Sequence, residues 1–326
     1  MDNASVSSDK SQAAPACTSA FWFSENITPS LRLESGLNKI TFDAQSDFQK
    51  VQIIETEPFG KILVLDGKTQ SALVDEYIYH ETLVHPALLR HPNPKTVYIG
   101  GGGEFATARE VLKHPSVTRV VMVDIDQVVC DMCREQMPEW NAGVFEDPRL
   151  EVHYTDAYAY LQNSTETFDV IIMDIADPIE AGPGYVLYTE EFYKYAVTKL
   201  SPEGVLVTQS GPGSCFNWDE CFSAIHQTLK TAFNVVIPFT TDIPSFGSNW
   251  AFNLAFNSAT PEACMAAVVE PSSRSTNEQI EKRIPGNLKF YDGISHLGLF
   301  GLSKQIRGGL EQEKRIITID NPVFMY

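Results

Sequence analysis

The stretch TVYIGGGGEFATAREVLKHPSVTRVVMVDID, Thr96–Asp126, decides the fold. TVYIG is a short apolar run that stops at a glycine cluster, Gly100–Gly103. Such a run reads as a strand buried on both faces, and ATAREVLKH behind the glycines reads as a helix. RVVMVDID is a second apolar run and stops at Asp124 and Asp126. Strand, glycine turn, helix and strand in this order form one βαβ unit. The glycines satisfy a dinucleotide pattern, Gly101-x-Gly103-x-x-Ala106, with an acid about 20 residues further on. A nicotinamide-dependent dehydrogenase is therefore one reading of this stretch.

Toward the C-terminus the alternation continues. QVVCDMCREQM is helical, LEVHYTDA is a strand ending at Asp156, and AYAYLQN is helical. FDVIIMDIADP is a strand ending at Asp174 and Asp177. TEEFYKYAVTKL is a helix, GVLVTQSG a strand and WDECFSAIHQTLKTAF a helix. NVVIPFTTDIPSFGSNWAFNLAFN reads as two closing antiparallel strands. Beyond Ala259 a polar insert, Pro271 to Glu281, precedes a partly helical segment that begins LKFYDG. Toward the N-terminus, VDEYIYHETLVHPALL has helical spacing and ends at the breaker HPNPK. From Phe21 to about Leu73 short alternating runs predict an antiparallel β-domain, with turns at Ser35-Gly36, Pro58-Phe59-Gly60 and Asp66-Gly67. The expected organisation is a disordered tail over residues 1–19, an N-terminal β-domain over 20–74, and a catalytic domain over 75–326 with a C-terminal extension. The fold class is α/β, a doubly wound sheet carrying a small antiparallel β-domain.

The chain has 326 residues, 42 acidic and 24 basic side chains, and a formal net charge of −18. That balance argues against nucleic acid and anionic membrane surfaces, and it suits a cationic ligand. Hydrophobic residues make up 43%, enough for a large core. The six cysteines show no disulfide-framework spacing, and Cys130 and Cys133 stand on a helix without a second pair or a histidine partner. The first residues lack the apolar region of a secretory signal, and no apolar run approaches the roughly 20 residues of a membrane span. A cytoplasmic protein is expected.

In a doubly wound sheet, ligands bind beyond the carboxyl ends of the strands. Glu104, Asp124, Asp156, Asp174 and Asp177 all fall there. A single strand-end acid is commonly a helix cap. Recurrence after four successive strands requires compensation, because gathered carboxylates repel one another. A polycation or a metal would supply it. The spacing shows no histidine cluster, so no metal is expected. Glu104 separates the readings, since a carboxylate in the glycine turn repels a pyrophosphate and attracts an ammonium or sulfonium.

Taken in order, these motifs resemble the spermidine/spermine synthases, the aminopropyltransferases. The match runs through Phe48-Gln49, Val64–Gly67, Gln70, Asp75–Glu81, HPNPK, Gly101–Glu104, Asp124–Asp126, Asp156-Ala157, Asp174–Pro178 and Ile243–Phe246. Within the family the chain looks most like the plant-type thermospermine synthases, through YHE, GGGE followed by TARE (Thr107–Glu110), ADP, TQSGP and KFYDG. One departure is Phe105, where the family has Gly; a bulky residue does not take a glycine conformation cheaply, so an altered loop and a narrowed donor pocket are expected.

The resemblance implies a Rossmann-like, methyltransferase-type sheet. Gln49, His80, Glu104, Asp124, Asp156 and Ala157 would hold decarboxylated S-adenosylmethionine as a co-substrate, with no cofactor. Asp174 would take the proton, Tyr79 would orient the attacking nitrogen, and Asp177 and Phe246 would line the polyamine channel. Pro178–Tyr188 would form a lid. The product would be thermospermine, with spermidine or spermine synthesis and an inactive polyamine-binding relative as alternatives. A homodimer or homotetramer is implied.

Overall fold

The computed structural model describes residues 19–326 apart from 181, 183, 258 and 259. Residues 1–18 of the expected N-terminal tail and part of the expected lid thus lie outside the described residues.

The N-terminal sheet is an antiparallel meander of five strands in sequence order: β1 Trp22–Thr28, β2 Leu31–Gln45, β3 Lys50–Thr56, β4 Gly60–Leu65 and β5 Lys68–Ala72. Two of the three expected turns are present. Gly60 has φ 69°, and Asp66 and Gly67 have φ 49° and 80°, the positive values that tight hairpins need. The turn expected at Ser35-Gly36 is absent, because β2 runs straight through it. Gly36 answers instead to a close approach, as a Cβ there would lie 2.1 Å from the Ser19 hydroxyl.

The second sheet has seven strands: β6 Thr96–Gly101, β7 Arg119–Asp124, β8 Leu150–Tyr154, β9 Phe168–Asp174, β10 Leu200–Pro212, β11 Val235–Ile243 and β12 Ser248–Phe256. Their spatial order is β11-β12-β10-β9-β6-β7-β8. The five strands from β10 to β8 are parallel, and β12 pairs antiparallel with both β10 and β11. Strand order reverses at β6, so the crevice for a ligand opens at its C-terminal end, between β7 and β9.

Helices cover both faces: α1 Glu76–Arg90, α2 Ala106–Leu112, α3 Gln127–Gln136, α4 Pro138–Asn141, α5 Ala157–Asn163, α6 Glu190–Ala196 and α7 Phe222–Leu229. The C-terminal part adds α8 Pro261–Val268, α9 Ser273–Arg283, α10 Gly293–Leu299 and α11 Lys304–Gln312. The polar stretch read as an insert is mostly α9, started by the Ser272 hydroxyl accepting from the Ser275 amide. Its sequence shows no apolar stripe, because Thr276 is the helix's one buried side chain. No helix among the described residues is long and apolar enough to cross a membrane.

The two sheets are joined by an apolar cluster of Val51, Ile53 and Leu63 against Ala106, Val129, Cys133, Met137 and Trp140. Cys133 is buried there and Cys130 in the main core beside it, and burial pushes both thiols far above the usual range. They are packing residues.

Candidate active site

The glycine turn is fixed by what it touches. Gly101 and Gly102 have φ 83° and 79°. A Cβ on Gly101 would lie 2.1 Å from the Asp174 carbonyl oxygen, so only glycine permits this approach. The Gly102 amide donates to that carbonyl at 2.9 Å. The turn is thereby tied to the end of β9, and Glu104 faces Asp174 across the crevice. Phe105 has φ 69°, a left-handed conformation that a bulky residue rarely adopts. Its ring is fully buried and packs edge-on against Phe145 at 6.2 Å. The ring therefore points into the core and does not narrow the cleft, contrary to the expectation from sequence.

Asp174 ends β9 and is held from two sides. Its Oδ1 accepts from the Tyr79 hydroxyl at 2.7 Å, and its Oδ2 accepts from the Thr107 hydroxyl at 2.5 Å. Burial and the neighbouring Glu104 charge raise its carboxyl to about 6, against the opposing pull of His80 and the two hydroxyls. Burial and the Asp174 charge push the Tyr79 phenol well above its ordinary value. Tyr79 is thus a hydroxyl donor at neutral pH.

His80 does not stand on the cleft wall, as the sequence reading had it. It is 1% exposed and lies behind Glu104, because its place on α1 turns it toward the core. Its Nε2 meets Glu104 Oε1 at 2.7 Å, and its Nδ1 meets Glu76 Oε2 at 3.0 Å. Burial opposes a charged ring, but the bonds to Glu104 and Glu76 outweigh it and raise His80 to about 10.

At the other end of the crevice, Asp124 accepts from the Asp126 amide at 2.8 Å. Burial, reinforced by Glu104, lifts its carboxyl to about 7. Asp126 and Asp156 are helix caps. Asp126 accepts from the Val128 and Val129 amides, and Asp156 from the Ala159 amide at 2.6 Å. Asp156 and Ala157 nevertheless line the cleft. Gln49 reaches in from the turn before β3, with its amide donating to Asp126 at 3.0 Å. Beyond Asp174, Asp177 accepts from Gln209 at 3.1 Å, and burial raises its carboxyl to about 7. Phe246 stacks edge-on against Trp250 at 4.7 Å and Tyr79 at 5.8 Å.

Together these groups wall a cleft between the two sheets. It gathers every residue singled out from the sequence except His80. Sequence reasoning assigned no role to Thr107, Gln209 or Trp250. Thr107 and Gln209 lie inside the quoted TARE and TQSGP motifs, where a hydroxyl and an amide next to strand-end acids were the available signal. The ligand atoms of His80, Glu104 and Asp174 lie within 4.8 Å of one another. This convergence was invisible in the spacing. Both ring nitrogens of His80 are already engaged, Nε2 by Glu104 and Nδ1 by Glu76, so in this arrangement neither is free to hold a metal.

A doubly wound sheet whose switch point is ringed by carboxylates defines a nucleotide-fold enzyme for cationic ligands. Comparison with known proteins makes this specific. Residues 76–264 match the spermine/spermidine synthase domain, and residues 21–72 match the spermidine synthase tetramerisation domain. The thermospermine synthase ACAULIS5 of Arabidopsis thaliana is 40% identical over 94% of this chain and 87% of its own length. A polyamine aminopropyltransferase of Aeropyrum pernix is 41% identical over 93% of this chain and 95% of its own length. A spermidine synthase solved in complex with the transition state analogue AdoDATO superposes with a TM-score of 0.80 at 28% identity, covering 90% of this chain and 96% of that one. The chain belongs to the spermine/spermidine synthase family, the polyamine aminopropyltransferases. The dehydrogenase reading of the glycine turn is thereby set aside.

Proposed function

We propose that the chain moves the aminopropyl group of decarboxylated S-adenosylmethionine onto spermidine, giving thermospermine and releasing methylthioadenosine. The observation that carries this reading is Asp174, held between two hydroxyls with Glu104 on one side of it and Asp177 on the other. Glu104 would receive the donor's ammonium, Asp124 its ribose hydroxyls and Asp156 its adenine amino group, with Gln49 and Ala157 closing that end. Asp177 and Phe246 would hold the acceptor.

The acceptor amine is protonated in water, with a pKa of about 10.4. Recovering its lone pair at pH 7 costs about 3.4 pH units, or about 4.6 kcal/mol. A carboxylate poised near neutrality beside a desolvating wall takes that proton. Asp174 is that base, Tyr79 orients the nitrogen, and Asp177 keeps the next nitrogen charged. The neutral nitrogen attacks the carbon beside the sulfonium in line. Its N–C bond forms as the C–S bond breaks, and the sulfur leaves as a neutral thioether. The protein's part is positioning, and the sulfonium supplies the leaving group.

The thermospermine product is favoured by the plant relative and by the shared YHE, GGGE, TARE and KFYDG segments. The archaeal relative of equal similarity carries only the general name, which keeps spermidine or spermine synthesis as the second reading. Incubation with decarboxylated S-adenosylmethionine and putrescine or spermidine, followed by a separation that resolves thermospermine from spermine, decides between them. Thermospermine as the main product supports the proposal. Spermidine from putrescine, or spermine alone, replaces it with the second reading. The tetramerisation segment and the exposed Trp22, Leu31 and Ile40 on β1 and β2 support a homo-oligomer formed through that sheet.

A further inference from the structure

A chain of buried polar contacts leads away from Glu104 into the protein. Arg109 on α2 grips Glu76 with both guanidinium nitrogens, Nη1 to Oε1 at 3.2 Å and Nη2 to Oε2 at 2.8 Å. Glu76 Oε2 meets His80 Nδ1 at 3.0 Å, and His80 Nε2 meets Glu104 Oε1 at 2.7 Å. Glu76 is 3% exposed and His80 1%. Signs alternate along it, Arg109, Glu76, His80, Glu104, and the last member opens onto the cleft. Arg109 is itself anchored, donating to the Trp140 carbonyl at 2.8 Å and to Glu110 at 2.9 Å.

We propose that Glu76 and Arg109 are positioning residues that keep His80 as a permanent imidazolium, so that His80 acts on the donor only by fixing the Glu104 carboxylate. Nδ1 also meets the Glu76 backbone carbonyl at 2.6 Å and so keeps its hydrogen in either form, and a neutral ring would turn the bare Nε2 lone pair against the Glu104 carboxylate. A charged ring donates on both. Arg109 matters because it compensates the buried Glu76 charge and keeps Glu76 ionised as an acceptor for the ring. The ionisable groups facing His80 are Glu76 and Tyr79 on α1, Glu104 in the glycine turn and Asp174 on β9, with Arg109 on α2 behind Glu76. The positive ring also holds the Asp174 carboxyl down, so the relay keeps the base ionised to lower pH.

The activity arm of the test rests on the proposed function, and the spectroscopic arm does not. In protein labelled with ¹⁵N-histidine, the His80 ring is expected to remain doubly protonated up to pH 8.5. In Glu76→Gln, where Glu104 still holds Nε2, the ring is expected to lose its second proton at a lower pH than in the unaltered protein. For the transfer reaction, Glu76→Gln is expected to raise the donor KM about tenfold and to move the acidic limb of kcat/KM upward by about one pH unit, the scale of losing one adjacent charge. Glu76→Asp keeps the charge and should restore both. His80→Gln offers a variant without a new charge in the core and should shift the limb in the same direction. A neutral His80 ring in the unaltered protein at pH 7.5 overturns the proposal, as does an unmoved donor KM and limb in both Glu76→Gln and His80→Gln. A protein that transfers nothing defeats the proposed function, while its ring spectra still decide the relay.

Discussion

Asp174 illustrates how much one side chain inherits from its neighbours. An isolated aspartate is ionised far below neutral pH, and its proton affinity is too low for a useful base. Burial and Glu104 raise this one to about 6, and His80 with two hydroxyls stops the rise there. A group with a raised pKa acts as a base only above it. The kcat/KM of the transfer should therefore fall about tenfold per pH unit below about pH 6. Asp174→Asn should lower kcat at least 100-fold while calorimetry finds methylthioadenosine binding nearly intact. Retention of that limb in an active Asn variant would remove Asp174 from the role of base. At this scale the sequence disclosed which acids matter, because each follows a strand. It hid what they do locally. Asp126 and Asp156 spend an oxygen on helix amides, and His80 turns out to face inward, since a helix position is read by its period and not by its azimuth.

Among the elements, α1 carries the most. It is buried along most of its length and presents Tyr79 to the cleft. Glu81, fully buried on the same helix, accepts from the Lys289, Phe290 and Tyr291 amides, each at 2.8 Å. This carboxylate is what docks the KFYDG segment, and with it α10, against the catalytic helix. Leaving a buried amide without its acceptor costs about 1–3 kcal/mol. Glu81→Ala should therefore lower the unfolding free energy, read from urea denaturation, by an amount of that order, and a change within about 0.5 kcal/mol would show that the segment docks by packing alone. Regular strands and long periodic helices were legible in the sequence, since burial on both faces leaves an unbroken apolar run. The missed elements share a cause. The bend expected at Ser35-Gly36 and the insert that became α9 were read from local composition, yet both answer to contacts distant in sequence. Gly36 makes room for Ser19, and Arg283 at the end of α9 donates to the Leu88 and Leu89 carbonyls of α1.

For the molecule as a whole, the negative charge and the cleft act together. Asp124 and Asp177 are raised to about 7 and Asp174 to about 6, all above the unfolded aspartate value of about 3.9. The folded state then holds more protons than the unfolded one across that window, so these groups lose stability as pH rises from about 4 to about 7. A bound polycation reverses the loss, because it favours the ionised forms. Spermidine with methylthioadenosine should therefore raise Tm more at pH 8 than at pH 5.5, read by calorimetry in low salt. An equal rise at both values would mean that Asp174 and Asp177 do not face the polyamine. The overall topology was legible because a parallel sheet forces helices onto both faces; the joining of the two sheets through Val51, Ile53 and Trp140 was not, since apolar side chains carry no address.

The most direct measurement is a crystal structure with methylthioadenosine and spermidine bound together. The account predicts one spermidine nitrogen within hydrogen-bond distance of Asp174 and Tyr79, the next nitrogen against Asp177, and the nucleoside between Asp124 and Asp156. A polyamine seated elsewhere, with Asp174 facing no nitrogen, would contradict it.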